Sequence, residues 1–207
     1  MKAAAVAAGL VLALSACAEP SQVDAGGAPR TLEVRCDGDT TEILTPVVQA
    51  QADGVHVVVH NDSEMPLSIM WGGGGDGADP GRSTAVLPID PGDAQFRCMR
   101  SFEDPGDDRG WQSLRVLEPP GWVPTDLRCT EDRATRYLDY GVDADGVEDP
   151  EANASVRADG AEVVPAGYVT SEQRTYVALD GGDPTMTLTY SSDGRGGWLL
   201  RQTSSCT

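Results

Sequence analysis

The chain has 207 residues, which suffices for one large or two small globular units. Its 15 basic residues against 33 acidic residues give a formal net charge of −18, and this surface argues against nucleic acid as a partner. The single lysine is Lys2, and His56 and His60 are the only histidines, so most Schiff-base, P-loop and histidine-based sites lack the residues they need.

The N-terminus has the pattern of an export signal. Lys2 supplies one positive charge, and Ala3 to Leu14 is an apolar run that ends in Leu14-Ser15-Ala16-Cys17. About a dozen apolar residues are too few for a spanning helix, which needs ~20. The sequence therefore predicts a cleaved signal peptide at residues 1–16.

The run Leu14-Ser15-Ala16-Cys17 resembles the lipobox of bacterial lipoproteins. The resemblance implies that Cys17 becomes the first residue after cleavage and receives a diacylglycerol. Two or more acyl chains hold a protein at a bilayer, so we expect a lipid anchor at the extracytoplasmic face of the cell membrane. Residues 17–30, rich in Gly and Pro, are the predicted flexible tether. The alternative is an ordinary secretory signal with an incidental cysteine.

Four further cysteines predict two disulfides, because an even number outside the cytoplasm is normally paired. They are Cys36, Cys98, Cys129 and Cys206. Three pairings are possible. The Pro119–Pro124 segment separates the second cysteine from the third and favours Cys36–Cys98 with Cys129–Cys206. On this interpretation a β-sandwich domain at 31–118 is followed by a linker at 119–125 and a small α+β domain at 126–207.

Short segments typical of strands follow one another in the first half. Thr31–Cys36 alternates apolar and polar residues, and Val55–His60 is rich in β-branched residues. Further strands are predicted at Leu67–Trp71, Ser83–Ile89, Ala94–Arg100 and Trp111–Leu117. Six or seven such strands with Gly, Pro and Asp turns predict a mainly β fold, an antiparallel sandwich of immunoglobulin-like or cupredoxin-like type.

The segment Leu87–Cys98, with its Pro91-Gly92 turn, follows the strand that ends at His60-Asn61. This layout resembles the strand, Pro-Gly, strand order of cupredoxin-like sandwiches. The resemblance covers about Thr31 to Leu117 and implies the fold. It does not extend to copper, because no histidine follows Cys98.

The second half has a different pattern. Thr130–Gly141 has a Thr cap, acids in its first turn and apolar residues at helical spacing, so a short helix is predicted there. Strands are predicted at Thr175–Leu179, Thr185–Tyr190 and Trp198–Gln202. A helix packed on a meander of strands is a small α+β unit.

Three groups of residues are candidates for chemistry. His56 and His60 lie about 13 Å apart on a strand, at ~3.3 Å per residue, so they cannot share a metal ion. The spacing of Gly72, Gly74 and Gly77 matches a dinucleotide fingerprint, but Asp76 follows where a helix should start, so a mobile loop or ligand lid is predicted.

The third candidate is the acidic segment Asp139–Glu151. Placed on the EF-hand template, it has Gly141 and Ala152 where the first and last ligands belong. We predict a solvated acidic loop, with a non-EF calcium site as the alternative. No nucleophile motif is present, and the four tryptophans are expected to fill small cores rather than bind sugars.

These patterns predict a lipoprotein that acts as a binding or structural module, with no recognisable catalytic constellation and no cofactor. Its expected partners are the lipid bilayer, through acylated Cys17, and a cell-envelope protein or glycan. The alternative is an extracytoplasmic hydrolase that uses carboxylates, with or without calcium.

Overall fold

The structure is a computed structural model that describes residues 27–38, 40–100, 110–129, 132–140 and 144–206. The predicted signal peptide and Cys17 lie outside these residues. The described part is mainly β, with three sheets and one short helix, so the predicted fold class is confirmed.

Two sheets face each other in the first half of the chain. The first contains, in spatial order, β2 (Thr40–Ile43), β1 (Thr31–Asp37), β4 (Val55–Asn61) and β7 (Gly81–Leu87). The second contains, in spatial order, β3 (Val47–Gln49), β9 (Gln112–Leu117), β8 (Gly92–Met99), β5 (Leu67–Trp71) and β6 (Gly74–Ala78).

Two of these strand pairs are parallel, which the sequence patterns do not show. β1 pairs with β4 and β3 pairs with β9 in parallel, while the other neighbours are antiparallel. The parallel pairs arise because the segment 40–49 crosses between the sheets. Its first part, β2, pairs in the first sheet, and its second part, β3, pairs in the second sheet. Pro46 stands at the crossing, where a residue without a backbone N–H costs no ladder hydrogen bond.

Side chains from both sheets form one core. Leu32 and Val34 of β1, together with Val57 and Val59 of β4, meet residues of the second sheet such as Phe96. The Cys36–Cys98 disulfide joins β1 to β8 across this core, with its Cα atoms 5.8 Å apart. The alternation of Thr31–Cys36 therefore has the predicted cause, since its apolar residues all face inward.

The third sheet is an antiparallel meander in the second half. Its spatial order is β10 (Arg133–Tyr137), β14 (Trp198–Cys206), β13 (Asp183–Ser192), β12 (Gln173–Asp180) and β11 (Glu162–Ala166). The helix α1 (Pro150–Arg157) packs on one face of this sheet, where its Ala154 is buried with Tyr176, Leu188, Tyr190 and Leu200. The Cys129–Cys206 disulfide joins the end of β14 to the chain just before β10. Both disulfides have the predicted pairing.

The predicted helix at Thr130–Gly141 is wrong, because residues 133–137 form strand β10. β10 pairs with β14 beside the Cys129–Cys206 disulfide, and this pairing overrides the local helical spacing. The helix lies instead at Pro150–Arg157, partly within the segment predicted as an acidic loop. It was missed because only Pro150 and Ala154 are buried, which leaves almost no apolar periodicity.

The predicted glycine-rich loop is also wrong. Residues 74–78 form β6, which pairs with β5, so only Gly72 and Gly73 remain as the turn. A Cβ atom at Gly74 would lie 2.9 Å from Cζ2 of Trp71, so the indole requires glycine there. β7, not a helix, follows, and the dinucleotide match has no structural counterpart.

A segment of the second half packs into the sandwich. Tyr168 belongs to the sandwich core, and its hydroxyl donates a hydrogen bond of 2.5 Å to the Ile89 carbonyl. Its ring lies 4.8 Å from that of Trp122, centroid to centroid. The backbone N–H of Val169 donates to the Ala52 carbonyl. The predicted domain boundaries stay a prediction, and Tyr168 shows that the two parts share a core.

Candidate functional site

The two histidines lie on the outer face of β4, four residues apart, and they have different neighbours. His56 Nε2 lies 3.0 Å and 3.2 Å from the two carboxylate oxygens of Asp53. His60 stands between Arg35 of β1 and Arg82 of β7 in the strand register. The Arg35 guanidinium lies 3.3 Å from the Glu42 carboxylate and 3.5 Å from that of Asp62, so these nearby acids are paired with arginine.

Two of the described acidic residues of the segment Asp139–Glu151, Asp149 and Asp145, have structural partners. Asp149 caps α1, and its Oδ1 atom accepts hydrogen bonds of 3.0 Å from the backbone N–H groups of Glu151 and Ala152. Asp145 lies 3.7 Å from the Arg195 guanidinium. No three metal-ligating side chains gather anywhere in the described ranges. Asp143 lies outside those ranges, so the calcium alternative stays a prediction.

Sequence reasoning missed one well-ordered carboxylate, Asp193. Its Oδ1 atom accepts from the backbone N–H groups of Arg195 and Gly197, and its Oδ2 atom accepts from Gly146. These hydrogen bonds, that from Arg195 first, hold the pKa of Asp193 below its usual value. Asp193 therefore fixes the 193–197 turn against residue 146, beside the bridge between Val147 and Trp198. Its role is structural.

One cavity lies at an end of the sandwich. It has a volume of about 940 Å³ and is lined by Trp71, Pro46, Pro88 and Pro91, with Gln95 and Arg115 among the polar groups. The Trp71 indole N–H is buried without an acceptor among the described residues. A Cβ atom at Gly73 would lie 3.6 Å from this nitrogen, so Gly73 is adjacent to it.

The larger cavity is a groove between the sandwich and the third sheet, with a volume of about 1270 Å³. We call it the groove. One wall is formed by Val86, Pro88 and Asp90, which end β7 and follow it. The opposite wall contains Thr125 of the predicted linker, the next residue Asp126, and residues 170–172. The floor is the face of the third sheet that does not carry α1.

Uncharged polar side chains form this floor because the third-sheet strands alternate. In β13, Leu188 and Tyr190 face the helix, whereas Thr187 and Thr189 face the groove. The strand register places Thr175, Thr189, Gln202 and Tyr137 side by side on β12, β13, β14 and β10. We call these four residues the cross-strand row. The Thr175 and Thr189 hydroxyl oxygens lie 3.3 Å apart.

Charged groups lie only at the rim of the groove lining. Arg133 donates a hydrogen bond of 2.7 Å to Asp126, which compensates its charge. Asp90 and Glu172 are exposed on opposite sides. Tyr137, at the outer end of the cross-strand row, is 73% exposed. The groove therefore has a neutral floor and a weakly acidic rim, and Tyr137 lies next to Gln202 in the register, outside the residues that line the groove.

No family model matches this chain, and no curated protein matches it. Its function has to be inferred from the groove and from the sequence motifs. None of the helices in the described ranges combines the length and the hydropathy needed to cross a membrane. The signal that could have found the groove is the Thr-Met-Thr-Leu-Thr-Tyr alternation of 185–190, which predicts a strand with one fully polar face.

Proposed function

We propose that this protein is a lipid-anchored binding protein of the extracytoplasmic membrane face, and that its ligand occupies the groove. The observation that carries the proposal is a large concave surface with convergent polar side chains between two packed units. Ligand sites occur preferentially at such junctions. Tyr168 holds the two walls together through its hydrogen bond to Ile89, so the groove exists before a ligand binds.

Binding is favoured over hydrolysis by the partners of the groove hydroxyls. A serine or threonine nucleophile needs a base within hydrogen-bond distance. In the groove the Thr175 hydroxyl meets that of Thr189, and the Gln202 amide donates to the Ser204 hydroxyl, which lies outside the lining. No histidine lines the groove among the described residues, and Asp126 is engaged by Arg133. The two remaining carboxylates of the lining, Asp90 and Glu172, are exposed at the rim on opposite sides, away from the Thr175–Thr189 pair on the floor.

The anchor is supported by the lipobox and by two disulfides, which belong to an oxidising compartment. Expression of the full chain and of its Cys17→Ser variant in a bacterium that processes lipoproteins tests it. We expect the wild-type protein to start at acylated Cys17 and to partition into detergent. The variant is expected to lose both properties. An unmodified wild-type terminus at another residue would contradict the anchor.

The groove is tested by capture of envelope components on the full chain. Ser191 lines the groove and is partly exposed, so Ser191→Arg should obstruct the site without opening the core. Val156→Arg is the matched control, since Val156 is 81% exposed on α1, on the other side of the sheet. We expect a component that is retained by the wild type and by Val156→Arg and lost with Ser191→Arg. Equal capture by all three proteins would overturn the proposal.

A further inference from the structure

We propose that the groove binds a neutral oligosaccharide, laid across the strands of the third sheet along the cross-strand row. This inference rests on the proposed function and assigns its ligand class. Three properties of the groove carry it: the hydrogen-bonding character of the floor, its lack of charge, and the width of the row with its terminal aromatic ring.

The hydrogen-bonding groups of the floor are bifunctional. Threonine and serine hydroxyls, and the amides of Gln173 and Gln202, each donate and accept. Sugar hydroxyls do the same, so each can pair with such a floor in several ways. An apolar ligand would cover the Thr189 hydroxyl and the Gln202 amide without replacing their bonds to water, which costs free energy.

The charge distribution selects a neutral ligand. In a chain of net charge −18, the residues of β12, β13 and β14 that form the floor are uncharged. The groove cation Arg133 is paired with Asp126, and Asp90 and Glu172 at the rim repel anions. The unpaired carboxylates that could bind a cationic ligand, Asp90 and Glu172, lie only at the rim of the groove lining. Charged polysaccharides, phosphorylated ligands and polyamines therefore all match the groove less well than a neutral chain.

The dimensions favour a chain of rings. The cross-strand row runs over four strands, and at about 4.8 Å between strands it spans about 14 Å, more than one sugar ring. Tyr137 at its outer end exposes 73% of its surface next to Gln202 and offers a flat face for the C–H surface of a ring.

A peptide matches the floor less well than a sugar chain. An extended peptide gains its main-chain hydrogen bonds at a free strand edge. The floor is the face of a sheet, where the backbone groups of β12, β13 and β14 are already paired with one another. A peptide there could use only side-chain contacts, whereas a sugar needs no backbone partner.

The test is calorimetric titration of the folded Cys17→Ser chain with neutral cello-, malto-, xylo- and manno-hexaose, and with oligogalacturonate of similar length as the anionic probe. We expect saturable binding of at least one neutral hexaose and none of oligogalacturonate. Gln202→Leu should weaken the neutral ligand about tenfold or more, because one amide's hydrogen bonds are lost. Tyr137→Ala should weaken it several-fold, and Val156→Ala should leave it unchanged.

Melting temperatures of the variants and intact disulfides establish that each variant is folded. Binding of oligogalacturonate as tight as that of the neutral hexaoses, no binding of any hexaose, or wild-type affinity in Gln202→Leu would overturn the ligand class. If Ser191→Arg still abolishes capture of an envelope component and that component is a protein without glycan, the oligosaccharide inference fails and the groove stands. If capture is insensitive to Ser191→Arg, both proposals fail.

Discussion

At the scale of single residues, Tyr168 carries a buried polar contact between the two parts of the chain. Its hydroxyl donates to the Ile89 carbonyl, and its ring packs on Trp122. Burial, together with the nearby Asp90 carboxylate, raises the pKa of Tyr168. The hydroxyl therefore stays protonated and remains a donor throughout the neutral range.

Tyr168→Phe should lower the free energy of unfolding by about 1–3 kcal/mol, because the Ile89 carbonyl loses its donor inside the protein. Urea unfolding of the full chain measures this difference. Tyr137→Phe removes a hydroxyl from an exposed ring and should change the stability by less than about 0.5 kcal/mol. Equal effects of the two substitutions would show that the Tyr168 hydroxyl contributes no buried hydrogen bond.

Asp193 predicts a pH dependence with a definite sign. Its pKa is lowered in the folded state, so the folded chain binds fewer protons than the unfolded chain near the ordinary pKa. The stabilisation is fully present above the ordinary aspartate pKa and is lost as the pH falls through the lowered value. Asp193→Asn cannot titrate, so the loss of stability on acidification should be smaller in this variant than in the wild type.

Chemical unfolding at a series of pH values from neutral to below the ordinary aspartate pKa measures this difference. Glu64→Gln is the control, since Glu64 is exposed in the turn after β4. It should reproduce the wild-type profile. An Asp193→Asn profile parallel to that of the wild type would mean that the carboxylate charge does not strengthen the three hydrogen bonds.

At the scale of elements, α1 depends on its first turn. Asp149 accepts from two backbone N–H groups, and Asn153 accepts a hydrogen bond of 2.9 Å from the Tyr190 hydroxyl on the sheet below. Burial raises the pKa of that tyrosine to about 12, which keeps its hydroxyl a donor. A helix of eight residues is too short to be stable alone and needs both its cap and its docking.

Asp149→Ala should therefore lower the free energy of unfolding by about 0.5–2 kcal/mol, the usual range for loss of an N-cap side chain. Ser155→Ala in the same helix is the matched control, since its exposed hydroxyl only bonds back to the Glu151 carbonyl. We expect this control to be neutral or slightly stabilising. Thermal unfolding followed by circular dichroism distinguishes the two, and a neutral Asp149→Ala would show that the cap is replaced by water.

The accuracy of the sequence-based elements follows from what each strand buries. Thr31–Cys36, Val55–His60 and Leu67–Trp71 were predicted, because a face that enters the core leaves a readable apolar pattern. β6 and β10 were missed, since β6 is largely glycine and every residue of β10 is exposed. Their strand conformation comes from pairing with a neighbour, and single-segment patterns do not contain that information.

The groove, too, is only partly visible in the pattern of a single segment. The polar face of β13 is visible in the alternation of residues 185–190. One wall of the groove, however, comes from Pro88 and Asp90, about a hundred positions earlier in the chain. The docking of Tyr168 on the sandwich, together with the hydrogen bond from Val169 N–H to the Ala52 carbonyl, brings these segments together. A site formed between two units has no local motif, so the sequence patterns do not give the position of the groove.

At the scale of the whole molecule, the shared core couples the two parts. Tyr168 and Trp122 pack with the sandwich core. The disulfides close segments of 62 and 77 residues. In the chain-entropy model each disulfide contributes about 4 kcal/mol to the free energy of unfolding. Covalent closure stabilises each part separately, whereas the contacts of Tyr168 make the stability of one part depend on the other.

We therefore predict a single unfolding transition for the oxidised chain, with coincident curves from tryptophan fluorescence and from circular dichroism. Tyr168→Ala should remove the coupling and separate the curves, because it deletes a ring buried between the parts. Val156→Ala, on the exposed side of α1, should keep one transition. Two separated transitions in the wild type would show that the units unfold independently despite the shared contacts.

The uncharged floor has a consequence for the conditions under which the protein can work. Added salt screens interactions between charges and changes neutral hydrogen bonds little. A ligand held by Thr189 and Gln202 should keep nearly the same affinity from dilute buffer to molar sodium chloride, even though the chain as a whole is strongly acidic. At the extracytoplasmic face that we propose, such recognition would be insensitive to changes in the ionic strength of the surroundings.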